Sequence, residues 1–206
     1  MTLKLNGSSS GSVSIDAPAA TTGGADITFA LPVADGTSGQ AITTNASGQL
    51  AFASMPGLFS SYAIICNQLS AGTQGGTPTA NSWTTYALNT EIADPDSIVS
   101  ISSNKFTLAA GSYLIKWKAL FQNCERSITR LYDVTNTAIK QYSMPQYNIY
   151  TSALVPGFAR VSPTGSTEYR IEYYSDAAQA DYGLGMDAPD DVAVTINAVV
   201  EIYKEA

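Results

Sequence analysis

The 206-residue chain contains no histidine. That excludes Ser-His-Asp and Cys-His nucleophile pairs, HExxH zinc sites and His-ligated iron. Charge is scarce too: Asp, Glu, Lys and Arg make up 13% of residues, about half the usual share. Cations are scarcest, 10 Lys and Arg against 17 Asp and Glu, and none lies between Lys4 and Lys105. A net charge of −7 with no basic cluster leaves nothing to hold phosphates, so nucleic acid is not an expected partner. No apolar run is long enough to cross a bilayer, and membrane insertion is not expected. "MTLKLNGSSSG" lacks the apolar stretch of a signal peptide, so the chain is expected to fold in a cytoplasm. Cys66 and Cys124 make no metal-ligand spacing; buried free thiols are the expectation, with a single disulfide between them as the alternative.

Motifs with chemistry are equally thin. "GSSSG" (7–11) has the form of a nucleophile elbow but follows no evident strand, opens no helix and has no His partner. "GTQGGT" (72–77) precedes no helix and carries no cation, so it is a loop and not a phosphate cradle. Carboxylates cluster at Glu91, Asp94 and Asp96 and again at Asp187, Asp190 and Asp191. Calcium loops use oxygen-rich runs, but these lack EF-hand spacing, and Asp and Pro are turn residues. Solvated turns are the expectation. No catalytic residue, metal site or cofactor is assigned, and the chain reads as a non-enzyme.

What the sequence does have is alternation. In residues 1–57, "SVSI" and "DITFAL" alternate apolar with small residues, and Val13, Ile15 and Pro18 recur as Ile27, Phe29 and Pro32 fourteen positions later. "AITT-NASG-QLAF" reads as a small hairpin around Asn45 and Gly48. Such strands are too short to bury a core alone. They need something to pack on: the downstream domain, copies of the same chain, or another protein. The block is therefore an attachment arm, with Val13, Ile15, Ile27, Phe29, Leu31, Ile42, Leu50 and Phe52 as its contact residues. Pro56 and Gly57 mark its end.

Beyond it, "GSYLIKWKALF" (111–121) sets Tyr113, Ile115, Trp117, Ala119 and Phe121 against Leu114, Lys116, Lys118 and Leu120. "TEYRIEYY" repeats the pattern with Tyr169, Ile171 and Tyr173, and "DVAVTINAVVEIYK" is a long closing strand. Roughly eight to ten short strands separated by turn signals, with no helical period, predict an all-β jelly-roll sandwich over residues 58–206. Phe106, Tyr113, Trp117, Phe121, Tyr169 and Tyr173 belong to its core or to a subunit seam. Tyr142, Tyr147 and Tyr150, beside Pro145, are either packing residues or a surface for a receptor or glycan.

The run "NKFTLAAGSYLIKWKALF" resembles the Phe-x-x-x-x-x-Gly-x-Tyr strand pair of the tumour-necrosis-factor/complement-head jelly-roll superfamily, with Phe106, Gly111 and Tyr113 at the matching positions. "SPTGSTEYRIEYY" and "AVVEIYK" are similar to its later strands. The resemblance implies a homotrimer with an aromatic-rich axial interface. "GSVSIDAPA", "ITFALP" and "GTSGQAITTNASGQLAF" resemble a pattern of structural and fibre proteins of tailed bacteriophages, cyanophages especially. Gly39, Gln40, Ile42, Thr44, Gly48, Leu50 and Phe52 match it. This implies a virion protein, assembled in the host cytoplasm, whose partners are itself and the major capsid protein or another virion protein. A capsid-surface decoration protein, a short tail fibre binding a host receptor, and a lectin-like module binding a host-surface glycan are the readings it leaves open.

Overall fold

In a computed structural model of the chain, residues 1, 7, 8, 11, 17–20, 22, 23, 25, 46, 48, 56 and 190 are not described, nor are the side chains of 2–6 and 12–16. Pro18, Gly48, Pro56, Asp190 and the two glycines of the "GSSSG" stretch thus lie outside the described residues. The rest forms strands and loops, with no α-helix among the described residues. The chain divides into two units, Met1–Met55 and Pro56–Ala206.

The first unit holds two hairpins. β1 (Thr2–Asn6) pairs antiparallel with β2 (Ser12–Asp16), placing Leu3 opposite Ile15 and Leu5 opposite Val13. The "GSSSG" stretch does follow a strand after all, because it lies between these two. Period-2 reading missed β1, which has only two apolar positions past Met1. β3 (Gln40–Thr44) pairs with β4 (Leu50–Ser54), with Ile42 opposite Phe52. Asn45 closes this hairpin: its Oδ1 accepts the amides of Ser47 at 2.9 Å and Gln49 at 3.2 Å, the turn chemistry that favours Asn there.

"DITFAL" is not a strand. Ala30 alone bridges to Gln49, in parallel, and the Leu50 amide donates to the Ala30 carbonyl at 2.8 Å. The alternation is genuine, but a strand also needs a neighbour to share its backbone donors and acceptors. Ile27, Phe29 and Leu31 are consequently exposed, as is Ile42 on β3, while Leu50 and Phe52 are half-buried.

The second unit is a sandwich. Its strands are β5 (Phe59–Ser70), β6 (Thr84–Thr85), β7 (Thr90–Ala93), β8 (Val99–Ser102), β9 (Lys105–Leu108) and β10 (Tyr113–Gln122). β11 (Glu125–Asp133), β12 (Ala138–Tyr142), β13 (Gln146–Asn148), β14 (Ser152–Val161), β15 (Thr167–Ser175) and β16 (Val194–Glu205) complete it. One sheet runs β14-β10-β16-β5-β7; the other runs β12-β11-β15-β9-β8, with β13 on β11 and β6 on β15. Successive long strands alternate between sheets, β9 to β10 to β11 and β14 to β15 to β16, which is the jelly-roll path. The strands exceed the expected number because β6 and β13 are two and three residues long, too short to show a period.

The two inner faces meet in one aromatic core. Phe106, Tyr113, Trp117, Phe121, Tyr169 and Tyr173 are all buried there, so of the two places open to them they occupy the interior and not a seam. Tyr86 joins them edge-on, its ring centroid 6.0 Å from Phe121 and 5.8 Å from Tyr173. Its hydroxyl donates to the Leu184 carbonyl at 2.7 Å, which satisfies a group that burial would otherwise penalise. Trp117 donates from Nε1 to Thr129 Oγ1 at 2.7 Å across the sandwich. Its ring lies on Gly157, where a Cβ would come within 2.1 Å of the indole. β14 carries Pro156 just before that glycine and is the outermost strand of its sheet. Cys66 and Cys124 are free and buried, and burial pushes both thiols up from their ordinary pKa.

Candidate interaction surfaces

The outer faces of the two sheets differ in kind. On the five-stranded sheet, the alternate residues of β10 and β14 turn outward, and the register lines them up with β16 and β5. One row is Phe158, Lys116, Glu201 and Ile64; the next is Arg160, Leu114, Tyr203 and Tyr62. Pro156, Lys118 and Val199 follow, then Leu154 beside Leu120. Phe158 is 64% exposed and Leu154 50%, with Tyr62 and Ile196 also exposed. Large apolar side chains thus dominate a face that the rest of this unit leaves open. Lys116 and Glu201 sit directly opposite each other within it, a favourable cross-strand pair.

The outer face of the other sheet is closed by ion pairs under aromatic rings. Glu172 on β15 is buried, yet its carboxylate receives Arg130 Nε at 2.6 Å and also meets Arg170 Nη2. Burying a carboxylate is tolerable only with such partners. Trp83, just ahead of β6, lies over this cluster with the Arg130 guanidinium 4.0 Å from its ring centroid, a cation–π distance. Tyr142 and Tyr174 flank the indole at centroid separations of 5.8 and 5.7 Å. Beyond Tyr174, Arg126 pairs with Asp176, and Lys105 pairs with Glu168 at 2.6 Å.

The three tyrosines singled out from sequence are all exposed: Tyr142 45%, Tyr147 65% and Tyr150 93%. Tyr142 and Tyr147 stand opposite Arg130 and Arg126 on β11, and Tyr150 follows in a loop with φ of 58°. Sequence reasoning gave no surface role to Trp83. A Trp inside the polar run "NSWTTY" is the signal that was there to be read.

A polar cavity of about 430 Å³ opens at the end of the sandwich between the β11–β12 turn and the β14–β15 loop, lined by Asp133, Lys140, Arg160 and several Ser and Thr. Burial pushes the Asp133 carboxyl up, but bonds from the Asn136 side chain and amide and the nearby Lys140 outweigh it and hold the group below its usual range. Desolvation, with the Asp133 charge beside it, pushes Tyr169 up to about 12. Asp133 is thus engaged in holding its own turn. Asp94 does the same: its two oxygens accept the amides of Ile98 and Val99, each at 2.9 Å. Among the described residues no group of three or more Cys, Asp or Glu could hold a metal ion.

The second unit is therefore a two-sheet jelly roll with one outer face rich in exposed apolar side chains and one ionic-aromatic outer face. No protein-family model matches the sequence, and no curated protein matches it. Similar solved structures are jelly-roll domains of the complement and tumour-necrosis-factor kind. The globular domain of zebrafish complement 1qA protein is 14% identical with a TM-score of 0.47, over 69% of this chain and 95% of that one. Murine APRIL is 8% identical with a TM-score of 0.47, over 70% of this chain and 98% of that one. The fold assignment rests on the strand order described above.

Proposed function

We propose that the chain is a non-enzymatic structural protein of a tailed-phage virion, a homotrimer that decorates the capsid surface and is held there by residues 1–57. The observation that carries the self-association is the outer face of the β14-β10-β16-β5-β7 sheet. Exposed large apolar side chains gathered on one face of a folded domain mark an interface, and this one bears Phe158, Leu154, Tyr62 and Ile196 interspersed with Lys116, Lys118, Arg160 and Glu201. Three copies rather than two is what the tumour-necrosis-factor-like strand motif implies. The virion assignment is supported by the phage-like pattern in residues 36–52, and attachment by the exposed Ile27, Phe29, Leu31 and Ile42 beside it.

Light scattering on the full chain tests the trimer: the expected mass is three times the 21.6 kDa of one chain, and Phe158→Glu should release monomers. A monomeric wild-type chain overturns the reading. The arm is tested separately with Phe29→Asp/Leu31→Asp in the full chain. That variant should stay trimeric yet be missing from purified virions; its presence there would refute attachment. A second reading, a short tail fibre that binds a host receptor, is favoured by the exposure of Tyr142, Tyr147 and Tyr150.

A further inference from the structure

We infer that the Tyr142–Trp83–Tyr174 cluster is a carbohydrate-binding platform for a chain of neutral pyranoses. Tyr142 and Tyr174 each lie against Trp83 on the outer face of the β12-β11-β15-β9-β8 sheet, with centroid separations of 5.8 and 5.7 Å and ring planes tilted by 50° and 52°. That spacing is on the order of one sugar ring. Trp83 is brought there by β6, which pairs with β15, and fixed by the Arg130 guanidinium 4.0 Å from its centroid. Arg130 is in turn locked to the buried Glu172. An indole pinned by a buried ion pair is preorganised, so binding costs it little ordering entropy.

Rigid aromatic rings offer apolar faces to the C–H side of a pyranose, and their polar tips and neighbours offer hydrogen bonds to its hydroxyls. Those neighbours are present at the Tyr174 end. Asn81 lies 3.3 Å from the Tyr174 hydroxyl, and the Arg126–Asp176 pair beside it presents donors and acceptors side by side, as vicinal diols require. The charges decide against other stacking ligands. Each of Arg126, Arg130 and Arg170 already meets a carboxylate, in a chain of net charge −7. Arg130 and Arg170 share one carboxylate, so the cited pairs leave a single unmatched cation, too few to follow the phosphates of a nucleic acid or to select an acidic glycan. The platform is on the sheet opposite the proposed self-association face, so the two inferences stand or fall separately.

The chain has two tryptophans, and Trp117 is 2% exposed in the core. Ligand-dependent change in indole emission therefore reports on Trp83. Full-length protein is titrated with maltohexaose, cellohexaose and mannohexaose to about 10 mM, enough to detect a millimolar Kd. At least one should shift the emission saturably. Trp83→Phe should abolish the optical response while Trp117 emission and melting stay native-like, and Tyr142→Ala should weaken binding by about tenfold. No response to any of the three sugars overturns the proposal. So does an unchanged affinity in Tyr142→Ala, or a response to oligothymidylate in place of the sugars. Light scattering on the same samples reads the oligomer independently.

Discussion

Replacing Glu172 by Gln tests what holds the ionic-aromatic face together. The substitution keeps the side-chain shape and removes one charge. It leaves Arg130, 13% exposed, and Arg170, 31% exposed, facing a neutral amide under Trp83. Breaking a fully buried ion pair costs about 3–5 kcal/mol, because the partner is left charged and unpaired. Arg170 is near enough to water to recover part of its solvation, which brings the expected loss to about 2–3 kcal/mol. For a domain of this size about 1 kcal/mol moves the melting temperature by about 2–4 °C, so Glu172→Gln should melt about 5–10 °C lower. Circular dichroism follows the melt, and Trp83 emission should shift as the guanidinium beneath it loses its anchor. The double variant Arg130→Met/Glu172→Gln should recover part of the loss, since it removes a stranded cation and gives the indole an apolar seat. A single variant that melts within about 1 °C of the wild type would show that solvent, and not Glu172, balances the two arginines.

Gly157→Ala drives a methyl to within 2.1 Å of the Trp117 indole. Overpacking of this kind costs about 1–3 kcal/mol, read as a lower denaturant midpoint with an unchanged slope. Asp133 has its pKa held below the ordinary carboxylate value. Its stabilising contribution is therefore complete above about pH 4 and fades as pH falls through the lower folded value. The stability gap between wild type and Asp133→Asn should accordingly narrow on acidification, and a gap that widens refutes the assignment. Cys66 and Cys124 are buried with raised pKa values, so neither should react with a thiol reagent in the native protein, and both should react on unfolding.

The sandwich was legible wherever a strand buries one face. In β10 the buried residues Tyr113, Ile115, Trp117, Ala119 and Phe121 alternate without a break, and β15 keeps Tyr169, Ile171 and Tyr173 inside. Period-2 patterning sees such strands because sequence distance and side-chain direction are locked together. It fails in two ways here. "DITFAL" alternates yet pairs only through Ala30, since alternation does not supply a neighbouring strand. The aromatic cluster needs residues 83, 142 and 174 from three separate segments, and the pairing of β12 with β11, β11 with β15 and β15 with β6 brings them together. The burial of Glu172 was hidden for the same reason: its position in "TEYRIEYY" points it outward, where Arg130, Arg170 and the β6 segment next to Trp83 meet it.

The Pro-Gly pair in β14 bears on how assembly stops. β14 ends its sheet, and an unpaired strand there would offer a row of amide and carbonyl groups on which another chain could grow an open-ended ribbon. Pro156 has no N–H to contribute, and a proline in such a strand interrupts that row. At the far ends, β7 and β8 are four residues each, too short to template much pairing. β12, the remaining edge, is five residues long, so no edge of the sandwich offers a long uninterrupted template. Face-to-face packing around an axis closes on itself at a fixed copy number, whereas strand addition does not. The same proline that looks like a flaw in a strand thus guards the β14 edge against open-ended pairing.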